Sequence, residues 1–143
     1  FIRKAGVEDA LDILNWRNHP KIRENSFSSM SIKKVDHIEW FKEKIRNKNS
    51  YMYIYCNEND KIGVIRFDLK GKTAVVSIML NPDFIGMGIG EVLIKEGTNF
   101  FLLDTKKQIV IKAEIKAANI ASIKAFSNAG YKEERITLTF RIQ

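Results

Sequence analysis

The chain has 143 residues, of which 45% are hydrophobic and 29% are charged, as expected for one soluble globular domain with its own core. Its 24 lysines and arginines outnumber 17 acidic residues, and the net charge of +7 favours anionic partners. A single cysteine, Cys56, and two widely separated histidines exclude an intrachain disulfide and a zinc site of Cys/His spacing. We therefore expect a cytoplasmic protein that holds no metal ion.

Neither a membrane nor a nucleic acid is expected as a partner. No apolar run approaches the ~20 residues of a membrane span, and the N-terminus lacks the apolar region of a signal peptide. The lysines are spread along the chain rather than gathered into one patch. The first residue is Phe1 rather than Met, so we expect the chain to be trimmed. No repeat or linker interrupts it, and residues 1–143 are predicted to form one domain.

The N-terminal segment reads as a short strand followed by two helices. We predict the strand over Phe1–Ala5 and the first helix over Val7–Asn15, where apolar residues recur on one face. Residues Ile32–Arg46 return to helical spacing, and Ser31 is well placed to cap that helix.

The hydrophobic period then changes to that of strands. Tyr51–Tyr55, Lys61–Leu69 and Thr73–Leu80 are rich in β-branched and aromatic residues. Turn-forming residues at 57–60 and 70–72 separate them. The pattern predicts two consecutive hairpins, which is an antiparallel meander.

The C-terminal part alternates helix and strand. We predict a helix over Gly88–Leu103 and a strand over Gln108–Ile115, so the chain has room for a parallel crossover. Asn119 is predicted to cap a helix that runs to Asn128, with Gly130 as its left-handed stop. Tyr131–Ile142 is predicted to end the chain as a strand.

The most informative segment is Gly86-Met87-Gly88-Ile89-Gly90, between a strand and a helix. Glycines let the backbone curl tightly and let a ligand approach, while the first N–H groups of the helix attract an anion such as a pyrophosphate. No Gly-Lys-Ser/Thr follows, and the glycine spacing is wrong for a dinucleotide fold, so neither is predicted. A tight turn before a core helix would use the same glycines and stays open as an alternative.

Two segments in the same order resemble motifs A and B of the GNAT superfamily of N-acetyltransferases. Ile85–Gly90 resembles Gln/Arg-x-x-Gly-x-Gly/Ala, and Ala118–Tyr131 resembles motif B. The resemblance covers the whole chain and is strongest over Lys61–Lys132. It implies an α/β (α+β) three-layer domain with a mixed, mostly antiparallel sheet of six to seven strands and about four helices. It also implies an enzyme that uses acetyl-CoA, which lies where the sheet splays between its fourth and fifth strands.

Three groups of residues are assigned to acetyl-CoA by this resemblance. A strand edge would pair with the pantetheine arm: Ile78, Met79 and Leu80. The loop and first helical turn would bind the pyrophosphate, chiefly through backbone N–H groups: Ile85, Gly86, Met87, Gly88, Ile89, Gly90 and Glu91. Motif B would contribute residues near the thiol arm: Asn119, Ser122 and Phe126.

Three positions depart from the family pattern. Ile85 replaces the motif A Gln or Arg, Ser77 stands where an acid is frequent, and Phe126 replaces the Tyr that often protonates the thiolate. In this family the amine attacks the thioester directly in a ternary complex, so holding the reactants together carries much of the catalysis.

The catalytic candidates follow from that mechanism. An N–H near Leu80 is expected to stabilise the oxyanion, and Ser122 is a further candidate beside the thiol. Asp68 and Glu39 are the candidates for a base that acts through water.

The N-terminal half indicates the acceptor. Residues 15–23, 31–41 and 62–68 resemble a subgroup that acetylates nucleotide-linked amino sugars for bacterial surface polysaccharides, including spore coat and pseudaminic-acid-type sugars. Six residues are candidates for binding this small-molecule amine: Trp16, Arg17, Asn18, Arg23, His37 and Arg66. Trp40 is a further aromatic that would stack on a base or sugar.

Other interpretations of these residues stay open. The tryptophans are also compatible with positions in the core, and His37 with a helix residue whose ring nitrogens already have hydrogen-bond partners. Arg17 and Arg23 are also compatible with salt bridges at the surface. Similar Trp-Arg-Asn segments occur in acetylases of ribosomal-protein N-termini, so a protein N-terminus is the alternative acceptor. A catalytically silent acyl-CoA-binding domain is the alternative to an enzyme. A homodimer is left open as the assembly.

Overall fold

The computed structural model describes residues 1–24 and 30–142 and consists of a five-stranded sheet with helices on both faces. The strands are β1 (Ile2–Lys4), β2 (Ser50–Cys56), β3 (Lys61–Lys70), β4 (Thr73–Leu80) and β5 (Val110–Ala113). The helices are α1 (Ala10–Asn18), α2 (Pro20–Arg23), α3 (Lys34–Arg46), α4 (Ile89–Thr105) and α5 (Ile120–Asn128). Short 3₁₀ turns lie at Val7–Asp9 and Pro82–Phe84.

The strands lie side by side in chain order, from β1 to β5. The first four pair antiparallel and form the predicted meander. β5 pairs parallel to β4, because the chain returns through α4 to the end of the sheet where β4 begins. The predicted hairpins and the parallel crossover are therefore confirmed.

The sheet is buried on both faces because its central strands carry apolar residues on both sides. In β2, Tyr53 belongs to the cluster under α4 and α5, while Met52 and Ile54 pack with α1 and α3 on the other face. Gly97 lets α4 approach β3 closely, since a Cβ there would lie 2.8 Å from Ile65. This close packing fixes the start of α4 relative to the end of β4.

The prediction of six to seven strands is wrong, because residues 131–142 form no strand. Their apolar residues alternate as in a strand, but Ile136, Leu138, Phe140 and Ile142 are 75–92% exposed. Alternating apolar and polar residues give a segment two different faces, but a strand also needs the edge of another strand to pair with. No described strand pairs with residues 131–142.

Helix boundaries differ from the prediction in the N-terminal half. The first helix opens as a 3₁₀ turn at Val7 and α1 extends to Asn18, just before Pro20 starts the unpredicted α2. α3 begins at Lys34 after Lys33, so Ser31 is not its cap. The described residues form five α-helices where about four were expected. At the other end of the chain Gly130 has the predicted positive φ, +104°.

Asp9 is a fully buried carboxylate that ties α1 to the sheet. It accepts two hydrogen bonds from Arg3 of β1, at 2.8 and 2.9 Å, and its oxygens also lie 2.8 Å from Lys61 Nζ of β3 and 2.9 Å from the Gly6 amide. Burial acts to raise the pKa of Asp9, but the hydrogen bonds from Arg3, Gly6 and Lys61 outweigh it and hold that pKa well below its ordinary value.

Replacing this carboxylate should destabilise the fold far more than replacing an exposed one. We expect Asp9→Asn to lower the free energy of unfolding by roughly 2–4 kcal/mol, because Arg3 and Lys61 lose their buried counter-ion. Asp12→Asn removes the half-exposed partner of Lys61 and should cost less than about 1 kcal/mol. Urea unfolding measures both, and equal losses would contradict the anchoring role.

The same carboxylate makes stability depend on pH. Because the pKa of Asp9 is lower in the folded state, the unfolded chain binds more protons in acid, and stability falls as the pH drops below the unfolded value of about 3.9. Asp9→Asn should lose this part of the acid sensitivity.

Candidate active site

The central feature of the site is an opening in the sheet between β4 and β5. These strands pair from Thr73 opposite Val110 to Val76 opposite Ala113, where β5 ends. β4 continues for four more residues, to Leu80. From Ser77 onward β4 therefore has no strand on its β5 side.

The backbone of β4 presents polar groups to this opening. The Asn81 N–H donates to the Ile62 carbonyl of β3 at 2.8 Å. Because backbone groups alternate between the two sides of a strand, Met79 also faces β3, whereas Ile78 and Leu80 point their N–H and C=O groups into the opening. Of the three edge residues predicted from the sequence, two thus direct their backbone groups into the opening.

A cleft of about 460 Å³ runs through the opening and reaches both faces of the sheet. On one side it meets α5 through Asn119, Ser122 and Phe126. On the other side it meets α1 and α3 through Arg17 and Trp40. The opening thus joins two half-sites, one beside α5 and one beside α1 and α3.

The glycine loop at the start of α4 has the form expected of an anion cradle. Gly86 and Gly88 have φ of +83° and +73°, and a Cβ at either would meet no atom within 4 Å. Glycine is thus required here by the left-handed backbone rather than by crowding. Gly88 occupies the N-cap of α4 without a side-chain capping bond, so the first N–H groups of the helix stay available. The residues present fit a pyrophosphate.

The loop's side chains are arranged to leave the cradle open. Ile85 and Met87 are exposed. Glu91, in the first turn of α4, accepts a hydrogen bond from Asn128 at 3.3 Å and pairs with Lys95 at 3.6 Å. Its negative charge is therefore partly compensated beside the predicted phosphate position. Gly90 lies inside α4, where a Cβ would meet Ala125 at 3.8 Å, an ordinary contact.

The predicted motif B residues line the cleft at the start of α5. Asn119 caps this helix, since its Oδ1 accepts the Ser122 N–H at 3.2 Å. Phe126 is buried and packs edge-on against Tyr131, with ring centroids 5.0 Å apart. The Tyr131 hydroxyl is bonded to Thr98 at 2.8 Å and so does not replace the phenol missing at position 126.

Asp68 is held too firmly to serve easily as a base. Its carboxylate accepts hydrogen bonds from Arg66 at 2.8 Å, Ser50 at 3.0 Å and Lys44 at 3.1 Å. Burial acts to raise the pKa of Asp68, but the charges of Arg66 and Lys44 outweigh it and lower that pKa. Glu39, the other candidate, is exposed on α3 and is not among the described residues that line the cleft.

Two of the predicted acceptor residues meet around Trp40. The guanidinium carbon of Arg17 lies 4.6 Å from the ring centroid of Trp40, and that of Arg66 lies 5.0 Å from it. All three line the cleft. His37 is fully buried beside them, 3.1 Å from an Arg17 nitrogen.

The other predicted acceptor residues lie elsewhere. Trp16 is 7% exposed and belongs to the core between α1 and the sheet. Asn18 exchanges two hydrogen bonds with the Ile32 backbone, at 2.7 and 3.0 Å, and so clamps the chain that leads into α3. Arg23 ends α2 and is not among the described cleft residues.

Several cleft residues carry no signal in the sequence. Met52 and Val64 read as ordinary strand residues, and only the pairing of Met52 with Arg66 shows that β2 contributes to this wall. Glu114 and Lys116 follow β5 and line the opening where the strands part. Their spacing resembles that of any exposed strand end, so sequence reasoning missed them.

Among the described residues there is no helix long and apolar enough to cross a membrane. That same part of the chain contains no group of three or more His, Cys, Asp or Glu side chains able to hold a metal ion.

Comparisons with known proteins identify the class of protein that this fold and cleft define. Residues 1–132 match the family described as Acetyltransferase (GNAT) domain. The chain therefore belongs to the GNAT acetyltransferases. It is an acetyl-CoA-dependent N-acetyltransferase domain, and the glycine cradle and the free edge of β4 are the features that fit coenzyme A.

Solved structures share the fold at low identity. Spermidine N-acetyltransferase from Vibrio cholerae with CoA and spermine has a TM-score of 0.83 at 16% identity, covering 100% of this chain and 87% of that one. Aminoglycoside acetyltransferase AAC(6')-Ib with coenzyme A has 0.79 at 15%, covering 93% and 84%. A domain from Methanocaldococcus jannaschii DSM 2661 has 0.79 at 22%, covering 94% and 89%. No curated protein sequence matches the chain significantly.

The cradle can be tested by a substitution with a matched control. Gly88→Val should weaken coenzyme A binding by at least about tenfold, because it distorts the backbone donors and places a side chain over them. Gly71→Val introduces a comparable left-handed strain, at φ +64°, in the β3–β4 turn, roughly 24 Å of strand away. Calorimetry should show normal binding for the Gly71 variant, and normal binding by Gly88→Val would place the cofactor elsewhere.

Proposed function

We propose that this acetyltransferase acetylates the primary amine of a nucleotide-linked amino sugar, as used in bacterial surface polysaccharides. The observation that carries the proposal is the pair of arginines on the acceptor side of the cleft, Arg17 and Arg66, on the ring of Trp40. Paired guanidiniums bind the oxygens of phosphates strongly and with defined geometry.

The net charge of the cleft favours an anionic acceptor. Its described lining contains the cations Arg17, Arg66 and Lys116 against one carboxylate, Glu114, and it stays positive although Asp68 offsets Arg66 from outside the lining. Spermine and kanamycin, which occupy two of the solved neighbours, are polyamines that such a field repels. The diphosphate of a nucleotide sugar is attracted by the same field, and it carries the amine into the opening.

Among the cleft residues, Arg17 is the one that a bound anion would stabilise most. Among the described residues it takes part in no ion pair, whereas Arg66 is paired with Asp68. Burial, and after it the neighbouring charge of Arg66, lowers the pKa of Arg17, yet an arginine stays protonated at neutral pH. A half-buried cation without a counter-ion is stabilised when a phosphate binds next to it.

The chain's own groups suit a direct transfer in a ternary complex. Acetyl-CoA, when bound, supplies an electrophilic thioester carbonyl. The Leu80 N–H, directed into the opening, is placed to donate to an oxygen there, a contribution of about 3 kcal/mol in comparable sites. With an Ile at position 85, a Ser at 77 and a Phe at 126, catalysis rests chiefly on backbone donors and on the orientation of the amine.

Glu114 is the group best placed to accept the amine's proton. It is the one carboxylate among the described residues that line the cleft, and it follows the last paired residue of β5, Ala113. Asp68 is occupied by three donors, and Glu39 lies outside the cleft.

Replacing each of the two exposed glutamates with glutamine tests which of them is the general base. Glu114→Gln should lower kcat by about a hundredfold, since it removes a general base and keeps the shape of the side chain. Glu39→Gln should leave kcat within about twofold of the wild type. A loss of activity confined to Glu39→Gln would identify Glu39 of α3 as the base. If both variants stay active, neither carboxylate is the base.

The acceptor class is tested by thiol release from acetyl-CoA against a panel of amines. We expect turnover with a UDP-linked 4-amino sugar and none with spermidine, an aminoglycoside or an N-terminal peptide. Turnover of spermidine with the amino sugar inert would overturn the proposal. Silence across the panel, with acetyl-CoA still bound in calorimetry, would favour a silent acyl-CoA-binding domain.

The role of Arg17 in binding the nucleotide sugar can be tested against a variant that removes the same charge elsewhere. Arg17→Gln should raise the KM for the nucleotide sugar about 10- to 100-fold through loss of a charge-assisted contact to phosphate. Arg46→Gln removes the same charge from an exposed position at the end of α3 and should leave KM unchanged. Equal effects in the two variants would reduce the role of Arg17 to that of general charge.

A further inference from the structure

His37 is a fully buried imidazole on α3, and both of its ring nitrogens have partners on α1. Nε2 lies 2.7 Å from the Ala10 carbonyl oxygen, and Nδ1 lies 3.1 Å from Nη1 of Arg17. The ring also packs against Trp40 and Phe41, each with centroids 5.8 Å away. The imidazole is therefore locked in place between α1 and α3.

These two partners define the protonation state of the ring. A carbonyl oxygen only accepts hydrogen bonds, so Nε2 must carry a proton and donate it to Ala10. A guanidinium only donates, so Nδ1 must be bare and accept from Arg17. Burial lowers the pKa of His37, and the positive charge of Arg17 lowers it further, against the opposing effect of the bond to Ala10. The ring is neutral, with its proton on Nε2.

Arg17 and Arg66 are oriented by different means, and the difference bears on the charge of the cleft. Arg66 is held by the carboxylate of Asp68, at 2.8 Å, which cancels much of its positive charge. Arg17 is held by a neutral acceptor and by the face of Trp40, 4.6 Å away, and neither cancels its charge. One of its five N–H groups goes to His37, and among the described residues no other hydrogen-bond acceptor holds it in the cleft that it lines.

We propose that His37 is a positioning residue that orients the Arg17 guanidinium for the anionic part of the acceptor while leaving its charge intact. The identity of that anion, a nucleotide diphosphate, rests on the proposed function. A carboxylate at this position would orient Arg17 equally well but would neutralise it. A protonated histidine would present a donor to a donor and release the arginine.

Two amide substitutions at position 37 test the two hydrogen bonds of the imidazole ring separately. The amide of glutamine reaches the position of Nε2, so His37→Gln keeps a donor for Ala10 but removes the acceptor of Arg17. The amide of asparagine ends near Nδ1, so His37→Asn keeps the acceptor but leaves the Ala10 carbonyl without its donor. His19→Gln, at the cap of α2 and away from the cleft, is the control for the substitution itself.

The kinetic prediction is a split between KM and kcat. His37→Gln should raise the KM for the nucleotide sugar about tenfold, the effect of one charge-assisted contact, with kcat and the Kd of coenzyme A within about threefold of the wild type. His37→Asn should keep KM within about threefold although its Tm falls. A purely structural histidine would give the opposite order, with the less stable variant the weaker binder, and that order would overturn the proposal.

A second readout does not depend on knowing the acceptor. Nitrogen-15 NMR should show His37 as the neutral Nε2–H tautomer at pH 7, together with a guanidinium signal of Arg17 protected from exchange. That signal should disappear in His37→Gln and persist in His37→Asn. If the amine panel is silent while this pattern is present, the proposed function fails and the positioning role stands. The other tautomer, or an Arg17 signal that is unchanged in His37→Gln, would overturn it.

Discussion

The functional architecture of this domain depends on the point at which two strands stop pairing. β4 and β5 share hydrogen bonds only as far as Val76 and Ala113, and the rest of β4 is left with backbone groups that have no strand to bond. A strand edge with unpaired N–H and C=O groups is a template for an extended ligand rich in amides. The same parting opens the cleft through the sheet and brings its two faces into one site.

The two sides of the opening present positive charge in different ways. On the side of α4, backbone N–H groups and the helix dipole provide partial charge, and left-handed glycines expose them. On the side of α1 and α3, Arg17 and Arg66 lie around Trp40, and Arg17 keeps its charge whereas Arg66 is paired with Asp68. The position of α1 rests in turn on Asp9, whose ion pairs fasten the start of the helix to β1 and β3.

Few reactive side chains line the opening between β4 and β5 among the described residues. Ser77 and Phe126 provide neither a carboxylate nor a phenol, and the carboxylate of Asp68 is paired with Arg66 and Lys44. Among the described residues, the opening keeps the N–H of Leu80 and one carboxylate, that of Glu114. A domain of this kind gains rate chiefly from proximity and orientation, which together are worth up to roughly 7–11 kcal/mol in favourable models.

Local patterns in the sequence were sufficient for much of the fold. Alternation and turn residues predicted the meander of β2, β3 and β4, and the glycine segment predicted an uncapped helix start, because these features depend on neighbouring residues alone. The same local logic failed for residues 131–142, where alternation predicted a strand. A strand also requires an edge to pair with, and no stretch of sequence reveals whether one is near.

The acceptor side was decided by tertiary structure. Arg17, Trp40 and Arg66 were each visible as candidates, but they lie on α1, α3 and β3, and only the packing of both helices on one face of the sheet brings them together. Packing also assigned Trp16 to the core. The sequence by itself determined the family and the elements from β2 to α5, including the glycine loop before α4, since these are written in contiguous residues. The charge of the acceptor site and the neutral state of His37 depend on distances between segments far apart in the chain, and only folding sets those distances.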